Sequence, residues 1–156
     1  MILQGEKALS RPKRYPTIPE RQERSRWSWQ PPTLAARRCL RLISAVFGIA
    51  LLVQFFIAGM SAMTDPDWWI YHKTWVGIFQ WLVLPLPLLA WLAGRPRLRR
   101  TLLASVPALQ IGLQYVLAHR ALEGRLPIGI GLHAVNAALM LVVVVILLAG
   151  WGDYRR

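Results

Sequence analysis

The sequence has few acidic residues, and this shortage limits the chemistry that it can perform. It contains seven Asp and Glu residues against nineteen Lys and Arg residues. Outside the two ends of the chain, the carboxylates are Asp65, Asp67 and Glu123, and all three lie between apolar runs. Proton-coupled transport needs titratable groups at membrane depth, so this distribution argues against it. The sequence also lacks a glycine-rich phosphate loop and a Ser or Cys nucleophile at helical spacing from a histidine, so we expect no enzymatic activity.

Cysteine is nearly absent as well. Cys39 is the one cysteine of the chain, so no intramolecular disulfide can form and the sequence carries no signal for an oxidising compartment. It precedes the first apolar run, where palmitoylation of a juxtamembrane cysteine is one outcome. A free thiol at the membrane interface is the simpler interpretation.

Apolar residues are abundant, and they are separated from the charges along the chain. The composition is 55% hydrophobic with a mean hydropathy of +0.37, yet the net charge is +12. Four apolar runs cover residues 40–60, 73–93, 102–118 and 133–151. About 20 helical residues cross a hydrocarbon layer of about 30 Å. Lipid admits only helices or closed barrels, and long runs without alternation favour helices. The sequence therefore predicts an all-α bundle of four transmembrane helices.

The basic residues predict the orientation of this bundle. Ten of them lie in residues 1–41, four in residues 94–100 and two in residues 155–156, which places sixteen on one side. The other side holds three, Lys73, Arg120 and Arg125. Because cytoplasmic loops carry the excess of Lys and Arg, we expect both termini in the cytoplasm.

Residues 1–36 form a basic, proline-rich segment with few apolar residues, and residues 37–156 form the transmembrane domain. This composition predicts a disordered cytoplasmic tail. Basic side chains beside a membrane helix attract anionic lipids of the cytoplasmic leaflet, and such charge runs far more often orient the chain than bind nucleic acid. The residues expected to contact the membrane or a partner are Arg11, Lys13, Arg14, Arg37, Arg38, Arg95 and Arg97.

A weak two-fold internal repeat relates the two halves of the membrane domain. Gln54 precedes His72 by 18 residues, and Gln114 precedes His133 by 19 residues. Each half crosses the membrane outward and returns, so the repeat is parallel with its axis along the membrane normal. The repeat predicts that the two glutamines lie at one depth and the two histidines at another.

The order of four short motifs resembles an uncharacterised family of small bacterial membrane proteins with four helices, known only as a domain of unknown function. The motifs are QFFIAGM at residues 54–60, HKTWVG at 72–77, the pair Gln110 and Gln114, and HAVNA at 133–137. The resemblance covers residues 37–152 and implies four helices in a bacterial cytoplasmic membrane. It implies no activity, cofactor or partner.

Helical spacing places polar side chains on inward stripes. His72, Trp75 and Phe79 share one stripe of the second helix, and His133 and Asn136 share one of the fourth. Polar groups facing lipid are costly, so these stripes should face each other near the extracytoplasmic end.

Two functions follow from this arrangement. In the first, the chain is a non-enzymatic structural or accessory subunit of a larger membrane complex, bound to other subunits or to a second copy. The histidines then hydrogen-bond to backbone or water, and the amide side chains join helices.

In the second, the chain is a small carrier of a tetrapyrrole, such as haem b or a chlorophyll-type ring. His72 and His133 would be the axial ligands, with Gln54, Gln114 and Asn136 hydrogen-bonded around them. A weaker alternative is a divalent metal held by Asp65, Asp67 and His72, since loop carboxylates are usually only solvated.

Overall fold

The computed structural model describes residues 33–94 and 97–150, and these residues form helices joined by short turns. The helices are α1 (Thr33–Met63), α2 (Trp68–Phe79), α3 (Pro85–Leu92), α4 (Arg97–Leu122) and α5 (Gly129–Ala149). A 3₁₀ turn, Gln80–Val83, joins α2 to α3. No strand occurs in the described part of the chain, so the predicted all-α class is confirmed.

Four helical segments are long and apolar enough to cross a membrane, as the sequence predicts. They are Leu34–Met63, Trp68–Leu92, Leu98–Leu122 and Gly129–Ala149, and the second comprises α2, the 3₁₀ turn and α3. These are the dimensions and composition of a multi-pass membrane protein. Because four crossings alternate in direction, the first and last described residues lie at the same end of the bundle. The side of the membrane on which that end lies stays a prediction.

The helices extend beyond the apolar runs from which they were predicted. α1 begins at Thr33, inside the segment predicted as a tail, because Ala, Leu and Arg favour a helix whether or not lipid surrounds them. α4 begins at Arg97 and ends at Leu122 for the same reason. The rest of the predicted tail, residues 1–32, lies outside the described residues. So do Arg11, Lys13, Arg14 and Arg95, the side chain of Arg97, and the predicted end of the last run at residue 151.

A proline explains the break in the second span. In a continuous α-helix the carbonyl of Trp81 would accept the N–H of residue 85, but Pro85 has none. That carbonyl instead accepts from the N–H of Leu84 at 3.3 Å, which closes a 3₁₀ turn. Pro87 and Pro107 do not interrupt a helix in this way. The structure places Pro87 in the first turn of α3, where no intrahelical donor is needed, and α4 continues through Pro107.

The four spans pack in cyclic order around a common core. α1 lies against the second span and α5, while α4 lies against α3 and α5. Phe47, Leu86, Met140 and Val144 are almost completely buried between them. In lipid such packing acts through van der Waals contact, since apolar side chains gain nothing by leaving an apolar solvent.

The two ends of the bundle pack differently. We call the end with Arg37, Arg38 and Arg41 the arginine end, and the end with His72 and His133 the histidine end. α3 packs against both α1 and α4, which closes the arginine end. α2 packs against α1, but among the described residues its backbone approaches neither α4 nor α5. The histidine end is therefore open on one side.

Candidate functional site

The opening beside α2 is a cavity of about 370 Å³ at the histidine end. This volume lies near the lower end of the range for small-molecule sites, roughly 300–1,000 Å³. Its lining comes from α1, α2, α4 and α5 and is mainly apolar, with Phe79, Ile111 and Met140 farthest from the open end. The polar side chains in the lining are Gln54, His72, Lys73, Gln114, Tyr115, His119 and His133.

The two predicted histidines meet in this cavity. Their ring centroids are 6.4 Å apart, and the ring planes make an angle of 41°. His72 lies on α2 and is buried, whereas His133 lies on α5 and is half-buried. Both line the cavity, so the site offers two imidazoles from two different helices at a similar depth.

The hydrogen bond of His133 sets the state of its ring. Nδ1 lies 3.1 Å from the backbone oxygen of Gln114 on α4. A carbonyl oxygen can only accept, so Nδ1 carries the proton in this bond. The Nε2 atom of the neutral ring then presents a lone pair, which is the form in which histidine binds a metal.

His72 is held by its backbone and by one face of its ring. Its backbone oxygen accepts a hydrogen bond from Nε2 of Gln54 at 3.2 Å. The ring stacks on Trp69, with centroids 4.4 Å apart and an angle of 7° between the planes. Nδ1 is buried and has no hydrogen-bond partner among the described residues. Packing therefore fixes the orientation of this ring.

Two glutamines add unpaired oxygens at the cavity wall. Gln54 and Gln114 are each 9% exposed, and the Oε1 atom of each has no hydrogen-bond partner in the described part of the chain. A buried polar atom without a partner costs about 1–3 kcal/mol. The two unpaired oxygens are therefore enclosed and destabilise the bundle around the cavity.

Asn136 was predicted as a cofactor contact, but it does not line the cavity. Its Nδ2 atom donates to the backbone oxygen of Gln110 at 2.9 Å, which joins α5 to α4. Asn136 lies one turn farther along α5 than His133, and this bond directs its side chain toward α4 and not into the cavity. Asn136 therefore joins two helices beside the cavity.

The polar contacts repeat in the two halves of the bundle. The indole nitrogen of Trp75, three residues after His72, donates to the backbone oxygen of Ala50, four residues before Gln54. Asn136, three residues after His133, donates to the backbone oxygen of Gln110, four residues before Gln114. Each half also contains a contact between the glutamine and the histidine that follows it, from Gln54 to the backbone of His72 and from His133 to the backbone of Gln114.

Charged side chains lie at the rim of the cavity. Glu123 follows α4 and lies within ion-pair distance of three neighbours: His119 at 2.9 Å, Arg120 at 3.5 Å and Arg125 at 3.4 Å. The side chain of His119 is 74% exposed and also reaches the cavity rim. Lys73 lies at the same rim and forms no ion pair with any described residue.

The divalent-metal alternative is not supported. Among the described residues no three His, Cys, Asp or Glu side chains are grouped so as to hold a metal ion. Asp65 accepts the backbone N–H of Asp67 at 2.9 Å and so closes an exposed turn. His72 instead points into the bundle, where it stacks on Trp69.

The predicted membrane contacts that the structure describes are Arg37 and Arg38 at the arginine end. Arg38 is exposed on α1. Arg37 is half-buried, and its Nε atom donates to the backbone oxygen of Ala93 at 2.8 Å, so part of this side chain joins α1 to the end of α3.

Three features of the site were not predicted from the sequence. Trp69 lies three residues before His72, a helical spacing from which the stacking could have been inferred. The rim position of Lys73 and the hydrogen bond from the Tyr115 hydroxyl to Oε1 of Gln80, 2.9 Å long, have no such signal.

Comparison with known proteins finds a match to one family model but no activity. Residues 54–123 match the model of a family described as a family of unknown function, DUF6220. The predicted resemblance to an uncharacterised family is therefore confirmed over this segment, which is shorter than the predicted range of 37–152. No curated protein and no solved structure matches the chain.

Proposed function

We propose that this membrane protein carries haem b, held between His72 and His133 at the histidine end. The observation that carries the proposal is the separation of 6.4 Å between the two ring centroids inside a mainly apolar cavity. His72 and His133 would hold the iron, and two imidazoles that share one metal ion must lie this close together, because each binds it at about 2 Å.

The hydrogen bond of His133 supports the proposal. Histidines that bind metals usually donate their other ring N–H to a carbonyl or carboxylate, which fixes the ring and raises its basicity. The bond from Nδ1 to the oxygen of Gln114 is of this kind and leaves Nε2 for the metal. A chlorophyll-type ring, which needs one histidine, would use His133 for the same reason.

The helices around the cavity suit a flat, apolar ring. Four-helix bundles hold cofactors between side chains of facing helices. The separation of α2 from α4 and α5 leaves one side of the cavity open toward the surroundings of the bundle. Haem supplies one-electron chemistry, so the protein would carry electrons and would not act as a catalyst.

The second candidate function is that of a structural or accessory subunit of a larger membrane complex. The specific observation in its favour is that the bonds of Gln54, Trp75, His133 and Asn136 join helices without any ligand. Such bonds average about 0.6 kcal/mol and suffice to set the helix register. If this function is correct, the protein should co-purify with other subunits after mild solubilisation. The purified protein should also be colourless.

The proposed location is a bacterial cytoplasmic membrane with both termini in the cytoplasm. The support is the excess of basic residues at the arginine end and beyond it in the sequence. The same residues would contact anionic lipids of the cytoplasmic leaflet.

The test is an absorption spectrum of the purified protein, oxidised and reduced with dithionite, from cells supplied with haem. We expect a Soret band that His72→Ala and His133→Ala each abolish. His119→Ala is the matched control, because His119 reaches the rim while its ring is bound to Glu123, and it should keep the band. A colourless wild-type protein would overturn the haem proposal and leave the subunit function.

A further inference from the structure

The histidine end carries three basic residues, and two of them are already compensated. Arg120 and Arg125 lie 3.5 Å and 3.4 Å from Oε2 of Glu123, and neither lines the cavity. The third is Lys73, which immediately follows His72 on α2 and lines the cavity. The one basic side chain of this end that can reach a bound ligand is therefore also the one without a carboxylate partner among the described residues.

The nearby carboxylates do not pair with Lys73. Asp65 and Asp67 lie on the exposed turn before α2, and neither forms an ion pair with Lys73. Asp65 is engaged by the backbone N–H of Asp67. Glu123, which follows α4, is shared among His119 and two arginines.

We propose that Lys73 binds an acidic group of the ligand in this cavity, and that the ligand is an amphipathic anion with an apolar body. The apolar lining would hold the body, while the acidic group would lie at the rim. A lysine ammonium on a long stem reaches such a group and gains a charge-assisted hydrogen bond there. The identification of this acidic group as a haem propionate rests on the proposed function.

The same ammonium could instead meet the phosphate of a lipid headgroup, because the rim lies at the end of the membrane spans. The shared chemistry is an oxyanion on an amphipathic molecule. Esterified ligands distinguish a haem propionate from a lipid phosphate. A lipid phosphate would bind Lys73 equally well whether the tetrapyrrole is the free acid or the ester.

The experiment measures binding of haem and of metal-free protoporphyrin IX, each as the free acid and as the dimethyl ester. The full chain is placed in nanodiscs of phosphatidylcholine, with and without phosphatidylglycerol. Protoporphyrin needs no histidine ligand, so its binding tests Lys73 apart from the axial pair. The variants are Lys73→Gln and Lys73→Arg, with Arg125→Gln as the control that removes a positive charge at the same end but outside the lining.

We expect Lys73→Gln to weaken binding of the free acids by about fivefold, the scale of a partly exposed ion pair, and to leave the esters unchanged. Lys73→Arg should restore binding, and Arg125→Gln should have no effect. Equal losses of affinity for the acids and the esters would overturn the inference. So would a loss of affinity that appears only in nanodiscs containing phosphatidylglycerol, because that result would assign Lys73 to lipid. Failure of wild type to bind either free acid would also overturn it.

A failure of the proposed function would give different results from a failure of the inference about Lys73. Protoporphyrin binding that depends on Lys73, together with haem binding that shows no axial histidine in its spectrum, would sink the ligation by His72 and His133 while Lys73 keeps its role. A normal haem spectrum, together with equal losses of affinity for acid and ester in Lys73→Gln, would overturn the role of Lys73 and leave the ligation by His72 and His133 in place.

Discussion

The indole nitrogen of Trp75 lies 3.0 Å from the backbone oxygen of Ala50 and donates a hydrogen bond from α2 to α1. Its counterpart in the other half is the bond from Asn136 to Gln110, 2.9 Å long. Each bond lies one helical turn from a histidine of the cavity. The two bonds therefore fix how far α2 and α5 can slide along the helices that precede them, and with that the depth of each imidazole.

Trp75→Phe should lower the free energy of unfolding by about 0.6 kcal/mol, the average for a hydrogen bond between membrane helices. The measurement is unfolding in mixed micelles, followed by circular dichroism. Trp81→Phe is the matched control, since Trp81 belongs to the same span and is 64% exposed. A loss no larger than that of the control would mean that the bond to Ala50 contributes nothing.

Gly129 and Gly131 provide a pair of substitutions with opposite expectations. A Cβ at Gly129 would lie 2.8 Å from the backbone oxygen of Leu117 and 3.0 Å from the Cβ of Ala121, whereas one at Gly131 meets nothing within 4 Å. Gly129→Ala should therefore push α5 from α4 and cost about 1–3 kcal/mol. Gly131→Ala should be neutral or stabilise the helix by up to about 1 kcal/mol. Unfolding of both variants in the same micelles checks this, and similar values would contradict the close packing of α5 on α4.

The hydroxyl of Tyr115 should slow the opening of the 3₁₀ turn. Tyr115 on α4 donates to Oε1 of Gln80, the first residue of the turn, and Nε2 of Gln80 donates to the backbone oxygen of Gly77 at 3.3 Å. Loss of a bond of about 0.6 kcal/mol should raise the population of the open form about threefold. Hydrogen exchange of the amides in residues 80–84 should accelerate by that factor in Tyr115→Phe. Tyr71→Phe is the control, because Tyr71 is exposed on α2, and equal exchange in both variants would show that the bond does not restrain the turn.

The single cysteine allows the predicted orientation to be tested directly. Cys39 is exposed near the start of α1, at the arginine end. A maleimide that cannot cross membranes should therefore leave it unlabelled in intact spheroplasts and label it after permeabilisation. Asp67→Cys in a Cys39→Ser background should behave in the opposite way, since Asp67 is exposed at the histidine end and its side chain makes no capping bond. Labelling of Cys39 in intact spheroplasts would reverse the predicted topology.

The number of helices and the meeting of the histidines could be predicted from the sequence, because each depends on a regular feature. Hydropathy over about 20 residues identifies a membrane span. The spacing of 18 and 19 residues between each glutamine and its histidine predicts equal depths in two antiparallel helix pairs. The ends of the helices were harder to predict, because α1 and α4 continue into residues that need not be apolar.

The shape of the cavity could not be predicted. It exists because α2 turns away from α4 and α5 above the 3₁₀ turn, and the direction of such a turn depends on packing by side chains such as Tyr115 and Phe79. Asn136 shows the limit of a helical stripe: the spacing placed it on the inner face, but its bond to a backbone oxygen of α4 directs it away from the cavity. Lys73 carried no signal because an exposed lysine at a helix end is ordinary.

In four of the bonds that join helices around the cavity, the acceptor is a main-chain oxygen, whereas the bond from Tyr115 has a side-chain acceptor, Oε1 of Gln80. A helical carbonyl already accepts one N–H along its own helix, and its second lone pair is free for a donor from outside. No substitution at the acceptor position removes that atom. The donor is an indole in one half and a carboxamide in the other, so either group can donate this bond if it reaches the carbonyl oxygen. The alignment of the helices is thus insensitive to sequence drift on the accepting side, and the two halves can diverge in side chains while they keep one geometry.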